Sequence, residues 1–384
     1  SVDEYGADEQ VLLRLAICAA CGLYGLICIR QTKDDLLRFP GFWCVLLGLW
    51  AIVTAPLAVN VPHALGASLS FFSFILFAPA LLCHVDSRRL IFVLLGTLCA
   101  YLAGCWIIHV FFPSVVHQLP AESTTLEYGR LGGLGHPNGT GRQAALAVCL
   151  ALICGAQRWL SWKVVLLITF LGCITLIETW SRTSIIALMV GAAIVLRHLL
   201  QARGWLPAAY IFFFAGLAAV VAGVGMFGFD LGATLSGMSR TGDAGEIYTL
   251  TGRDVLWRFV IEEITRSPLA GYGWGCMRFV CIENDWGTHH AHNMFLNVML
   301  ASGLLGGLIV AAMVLHLTIG FFRHPQLFPD VVFGLVMFQG ITGGSVFDVP
   351  IPASHTLLWF LALFWRQVSA AKQTANNESL GVVR

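Results

Sequence analysis

The chain has 384 residues, 58% of them hydrophobic and 11% charged, with a formal net charge of +1. Soluble domains carry roughly 25% charged residues, and a bilayer absorbs apolar surface on this scale where a soluble core does not. The near-neutral balance excludes the bulk positive field by which nucleic-acid-binding proteins find their target, so membrane lipid, and no nucleic acid, is the expected environment.

In chain order, apolar runs suggest spans near 11–30, 39–58, 63–83, 90–112, 142–157, 162–179, 182–200, 205–228, 292–322, 327–347 and 353–368. These are about eleven helices, each able to cross ~30 Å of hydrocarbon. No period-two alternation of the kind a membrane barrel needs is present. The predicted fold class is therefore an all-α polytopic membrane protein, read as a single integral membrane domain over 1–384. Twelve cysteines lie mostly inside the apolar runs, where they act as small packing residues. Cys276 and Cys281 sit in a polar stretch, where a pairing is open if that stretch faces an oxidising compartment.

Basic residues fix the orientation. Arg30, Lys33 and Arg38 follow the first span, Arg88 and Arg89 the third, Arg158 and Lys163 the fifth. Arg197 and Arg203 follow the seventh, Arg323 the ninth, Arg366 and Lys372 the last. Alternate breaks are thus cytoplasmic, and the two long interruptions, 113–141 and 229–291, face outward. The acidic start at residues 1–10 must also lie outside, which suggests one more span before this numbering and about twelve helices in all. Within 229–291, Thr251 and Asp254 have the spacing of a capping box. Trp257, Val260, Ile261 and Ile264 then share one helical face, with Glu262, Glu263 and Arg266 off it, until Pro268 stops the helix. This amphipathic helix of about fifteen residues lies on the outer membrane face, lids a cavity, or packs on the spans.

Outward arginines break the charge rule and need a reason. Arg142 follows Gly139-Thr140-Gly141 and opens the fifth span, Arg182 follows Ser181 and opens the seventh, and Arg253 opens the loop helix. A cation at a helix N-terminus is locally unfavourable unless an anion sits there, when the exposed N–H groups and the guanidinium together make a phosphate site. Pairing with a neighbouring carboxylate (Glu178 before Arg182, Asp254 beside Arg253) or with headgroups is the bland alternative. Arg130 lies in the glycine-rich run 129–141, which has no preceding soluble strand and is not a dinucleotide fingerprint. Its glycines suit close backbone approach to a ligand or a re-entrant turn.

His289, His290 and His292 cluster before the ninth span, with Asn293 adjacent. His292 is expected in the first turn of that helix, where the positive end disfavours imidazolium and keeps a neutral ring able to take a proton. The His-His-x-His pattern does not resemble a zinc-protease helix, and neither a metal nor another cofactor is expected. No G-x-x-x-x-G-K-[ST] loop occurs, so the energy for any transfer must already reside in the substrate.

His292-Asn293, followed after nine residues by Gly303-Leu304-Leu305-Gly306, resembles the His-Asn…Gly-x-x-Gly signature of the bacterial O-antigen ligase and polymerase superfamily. Three further segments resemble it in order and spacing: Arg130 to Asn138, Ser181-Arg182-Thr183, and Gly252-Arg253 running to Pro268-Leu-Ala-Gly271-Tyr272-Gly273. The resemblance covers most of 125–310; the first four spans carry no signature, and His136 stands where the pattern often has Asn. It implies a GT-C-like, metal-independent, inverting glycosyltransferase of the bacterial inner membrane with a periplasmic active site. The implied donor is an undecaprenyl-diphosphate-linked glycan and, for a ligase, the acceptor is the lipid A–core oligosaccharide of lipopolysaccharide. By resemblance His292 matches the general base, and Arg182 and Arg253 match the arginines that hold the diphosphate. Arg130, Asn138, Arg142, Tyr272, His289, His290 and Asn293 are expected to bind substrate. A polymerase or a protein O-oligosaccharyltransferase of the same superfamily would use similar residues, and a lipid-linked glycan transporter is the reading from a different class. The long outer loop with its amphipathic helix favours the ligase.

Overall fold

The computed structural model describes residues 9–112, 117–118, 130–132, 134, 136–205, 253–286, 290–342, 347 and 355–379. The expected span at 205–228 beyond residue 205, the N-cap Thr251 and His289 lie outside these residues. The described helices are α1 Glu9–Ile27, α2 Ile29–Leu37, α3 Gly41–Thr54, α4 Val61–His84, α5 Ser87–Phe111, α6 Pro137–Ala156, α7 Trp162–Thr179, α8 Arg182–Ala202, α9 Arg253–Arg266, α10 Met277–Glu283, α11 Met294–Arg323, α12 Leu327–Thr342 and α13 Thr356–Ser379. A two-residue antiparallel ribbon pairs β1 His117–Gln118 with β2 Arg130–Leu131.

Six of these helices (α4 to α8 and α11) are long and apolar enough to cross a membrane, or seven if α1 and α2 form one span bent by 91°. The all-α polytopic class therefore holds. The structure differs from the predicted spans in detail. The basic stretch after the first span is itself helical, because α2 turns sharply away while burying Thr32 and Leu36. The second apolar run is shortened where Pro56 diverts it into a 3-10 turn, Ala55–Leu57. Helix starts follow side-chain chemistry: Asn60 caps α4 by accepting from the His63 N–H at 3.1 Å, with a proline just inside the helix.

The chain divides into two compact units, 1–93 with 257–384, and 94–256, with the divisions falling inside α5 and α9. In the first unit, α4 packs against α1, α2, α3 and α13, and α11 packs against α3, α10 and α12. Its core includes the fully buried Phe71, Trp274, Phe347, Trp359 and Phe360, with Phe71 4.4 Å from Trp274 and 5.3 Å from Phe360, centroid to centroid. Arg366 of α13 binds the buried Asp330 and donates to the carbonyls of Gly320 and His324, so it closes the C-terminal end of α11. In the second unit, α6 is the central helix, packed against α7 and α8 and buried continuously from Gln143 to Ala151.

No disulfide joins any of the twelve cysteines, all of which are among the described residues. Cys276 and Cys281 are both buried, and burial pushes their thiols up to about 11. The Cys276 thiol lies against Ala55 and Ala64 and donates to the Asn60 carbonyl at 3.6 Å, so its place is in packing.

Candidate functional site

The second unit gathers the upstream motifs at one turn. Helix α7 ends at Thr179, Trp180 adopts a left-handed conformation (φ 49°), Ser181 is the N-cap and Arg182 the first residue of α8. Arg130 of β2 reaches this turn: its Nε donates to the Thr179 carbonyl at 2.9 Å and its Nη2 to Asn138 Oδ1 at 2.7 Å. Asn138 lies in the first turn of α6, which His136 caps by accepting the Asn138 N–H on Nδ1 at 3.1 Å. Histidine in place of the usual asparagine is thus still a competent cap. Thr140, fully buried, donates to the Gly132 carbonyl and bonds the Tyr101 hydroxyl at 3.0 Å, so the residues leading into α6 are tied to α5.

Glycine at 141 is required by contact. A Cβ there would lie 2.8 Å from Ser181 Cβ and 2.9 Å from Thr179 Oγ1, so the backbone of α6 lies directly on the turn that starts α8. Ser181 and Ser184 hydroxyls bond each other at 2.8 Å. Arg142 is in the second turn of α6, because proline at 137 starts the helix five residues earlier than the apolar pattern suggested. Arg253 is the first residue of α9, as expected.

The first unit builds the histidine turn by different means. His292 is not helical: it precedes the N-cap Asn293 and holds φ 51°, a left-handed conformation that costs a non-glycine residue on the order of 1–3 kcal/mol. The expectation of a first-turn position fails because the Asn293 carboxamide terminates the helix there, accepting from the Phe295 and Leu296 N–H groups at 3.0 and 3.2 Å. Ala291, fully buried, is bound on both sides: its carbonyl accepts from Trp257 Nε1 at 2.8 Å, and its N–H points to Oδ1 of the buried Asn297 at 3.5 Å. The His290 ring packs edge-on against His292, centroids 4.1 Å apart.

Little more than two turns after its start, α11 is broken. Ser302 (φ −135°) and Gly303 (φ 70°) leave helical geometry, which frees carbonyls that a bilayer would not satisfy. The 268–273 loop takes two of them, Tyr272 N–H donating to Leu300 O at 2.8 Å and Gly273 N–H to Ala301 O at 3.0 Å, and its Pro268 carbonyl accepts from the Leu304 N–H at 2.8 Å. Trp50 Nε1 takes the Ser302 carbonyl at 2.9 Å. A Cβ on Gly303 would lie 2.1 Å from the Leu269 carbonyl oxygen. The glycine spacing after His292-Asn293 thus encodes a splice between α11 and this loop.

Glu263 is the residue the sequence misplaced. The buried face of α9 is Leu256, Val260, Glu263 and Ile264, whereas Ile261 is 50% exposed. Glu263, expected off the apolar face, is 4% exposed, binds Arg266 and accepts the Tyr272 hydroxyl at 2.5 Å. Burial first, then this carboxylate, push the Tyr272 phenol up to about 12, so it stays a donor at neutral pH. The signal was available: a carboxylate one helical turn beyond Val260 falls on the same face as Leu256. Trp257 and Asn297 were likewise missed as partners of the histidine turn, because a tryptophan on an apolar face reads as packing.

The expected site residues therefore divide. Arg130, Asn138, Arg142, Arg182 and Arg253 belong to the second unit, and Tyr272, His290, His292 and Asn293 to the first. Among the described residues, no group of three His, Cys, Asp or Glu side chains is disposed to hold a metal ion.

A family model described as O-Antigen ligase matches residues 166–311. The curated O-antigen ligase of Pseudomonas aeruginosa is 30% identical over 126 residues, which make up 30% of this chain and 30% of that protein's length. The matched segment contains Arg182, Arg253, Tyr272, His292-Asn293 and the α11 break, and over it the chain is similar to the O-antigen ligases.

Proposed function

We propose that the chain is an O-antigen ligase that moves glycan from undecaprenyl diphosphate to the lipid A–core oligosaccharide at the periplasmic face of the bacterial inner membrane. The orientation rests on the alternation of Lys and Arg between spans. In this reading Arg182 and Arg253 hold the donor diphosphate and His292 takes the proton from the acceptor hydroxyl. The acceptor oxygen attacks the anomeric carbon from the face opposite the diphosphate, the carbon–oxygen bond to the diphosphate breaks, and configuration inverts. Diphosphate is a stable anionic leaving group, so cationic donors rather than a general acid assist its departure. A sugar hydroxyl is a weak nucleophile until a base removes its proton.

The observation that carries the reading is positional. Within the family-matched segment, Arg182 is the first residue of α8, Arg253 the first of α9, and His292 stands immediately before the N-cap of α11. A helix N-terminus favours anions, which suits guanidinium at a diphosphate, and disfavours imidazolium, which suits a base.

The test is transfer in vesicles from a lipid-diphosphate glycan to defined lipid A–core. Glycan is expected on the core, and His292→Ala is expected to lower turnover by about 10²–10⁴ while donor binding persists. Longer glycan chains with unmodified core would replace the ligase by a polymerase; full turnover in His292→Ala would remove the base.

A further inference from the structure

We propose that Arg130 and Asn138 act as a positioning clamp that sets Arg182, and that neither touches the donor. The proposal rests on the reading of Arg182 as a diphosphate ligand and deepens it. The geometry begins with what Arg130 has already bound. Its Nε and Nη2 form the guanidinium edge that would grip two phosphate oxygens side by side, and that edge is engaged by the Thr179 carbonyl and Asn138 Oδ1. Both of these acceptors are neutral and part of the protein.

The location itself favours an arginine. Thr179 is the last residue of α7, so its carbonyl belongs to the set that finds no partner within the helix. A guanidinium at this end meets the negative pole of the helix, the opposite of the situation at Arg182, which stands at the positive pole of α8. Thr179, which Arg130 binds, lies three residues before Arg182, and the two arginines are electrostatically unlike: one meets the negative end of α7, while the other stands at the positive end of α8.

The clamp has a second jaw. Asn138 is fixed in the first turn of α6 by His136, and Gly141, almost one turn later, leaves no room for a side chain against Thr179 and Ser181. The α7–α8 turn is therefore gripped at the Thr179 carbonyl by Arg130 and along Thr179 and Ser181 by the backbone of α6. Its left-handed residue, Trp180, has φ 49° and needs such over-determination to persist. Loosening either jaw lets the first turn of α8 shift, and Arg182 shifts with it.

The experiment compares Asn138→Asp, Asn138→Ala, Arg130→Lys and Arg130→Ala in the full chain in lipid nanodiscs. Turnover is measured with a lipid-diphosphate glycan, and backbone hydrogen exchange over Thr179–Ser184 is followed. A carboxylate at 138 still accepts from Arg130, so Asn138→Asp is expected to keep most of its turnover and all of its exchange protection. Asn138→Ala is expected to lose about tenfold to a hundredfold in turnover, the scale of a small misplacement, with faster exchange at the turn. Lysine cannot bridge both acceptors, so Arg130→Lys is expected to be no better than Arg130→Ala. Direct donor contact predicts the reverse order: added negative charge at 138 is the worst variant, and lysine at 130 rescues donor binding. That order, or unchanged exchange at the turn in both Asn138→Ala and Arg130→Lys, overturns the clamp. If the arginine variants do not fold, the two asparagine variants decide alone. If exchange responds as expected but Arg182→Ala leaves donor binding and turnover intact, the clamp stands and the role given to Arg182 falls.

Discussion

The turn that presents Arg182 and the turn that presents His292 solve the same problem with different materials. At the arginine turn a charged side chain does the holding: Arg130 spans the Thr179 carbonyl and Asn138. At the histidine turn three neutral side chains hold the backbone: the Trp257 indole and the Asn297 and Asn293 carboxamides. The difference suits what each turn is proposed to do. An anion site gains from further positive potential, whereas a base must stay uncharged, and a fixed cation or anion at the histidine would move its titration. The buried carboxylate of Glu263, on α9, is bound to Arg266 and Tyr272.

Breaking the backbone splice tests this contrast most severely. Gly303→Ala places a Cβ 2.1 Å from the Leu269 carbonyl oxygen at a position where φ is 70°. Overpacking against backbone and left-handed strain together should cost about 3 kcal/mol or more. The folded yield and the melting temperature in detergent should both fall. A variant with wild-type melting would show that α11 need not be broken there.

The Glu263–Tyr272 bond is next. Tyr272→Phe leaves a buried carboxylate short of one donor, a loss of about 1–3 kcal/mol, toward the lower end because Tyr272 itself is only half-buried. The phenol is raised from its ordinary value of 10.0 to about 12, so the bond's contribution is complete below pH 10 and is lost as pH rises from 10 toward 12. A thermal-stability profile should therefore show wild type and Tyr272→Phe converging over that interval. Convergence already at neutral pH would mean that Tyr272 does not donate to Glu263.

Legibility followed the same division. The arginine turn could be read because its signals are local: glycine, proline and a helix-opening arginine within a few residues of one another. Even so, Arg142 was placed one turn too early, since the apolar run begins after the helix does. The histidine turn was legible as a motif but not as geometry. His292-Asn293 and Gly303 carry the family signature, yet the left-handed φ at His292 depends on Asn293 capping α11, and the break at Gly303 depends on carbonyls taken by residues some thirty positions upstream and by Trp50. Such contacts leave no periodic trace. Glu263 was lost for a related reason: as a charged residue it was set off the apolar face, although an acidic residue on a buried face is stable when a phenol and a guanidinium answer it.

The smallest expected effect is the sharpest probe of the histidine turn. Trp257→Phe keeps an aromatic ring in α9 but removes the indole N–H, which donates to the carbonyl of the fully buried Ala291 at 2.8 Å. Losing that bond should cost about 1 kcal/mol, roughly a fivefold effect. Because Ala291 immediately precedes His292, the loss should appear in turnover, with donor binding and melting temperature almost unchanged. Combination with His292→Ala separates the alternatives. If Trp257 acts by holding the His292 backbone, the double variant is no slower than His292→Ala alone, since nothing remains to be held. If the fivefold loss persists in the double variant, Trp257 acts elsewhere in the reaction, and the neutral framework around His292 does not extend to α9.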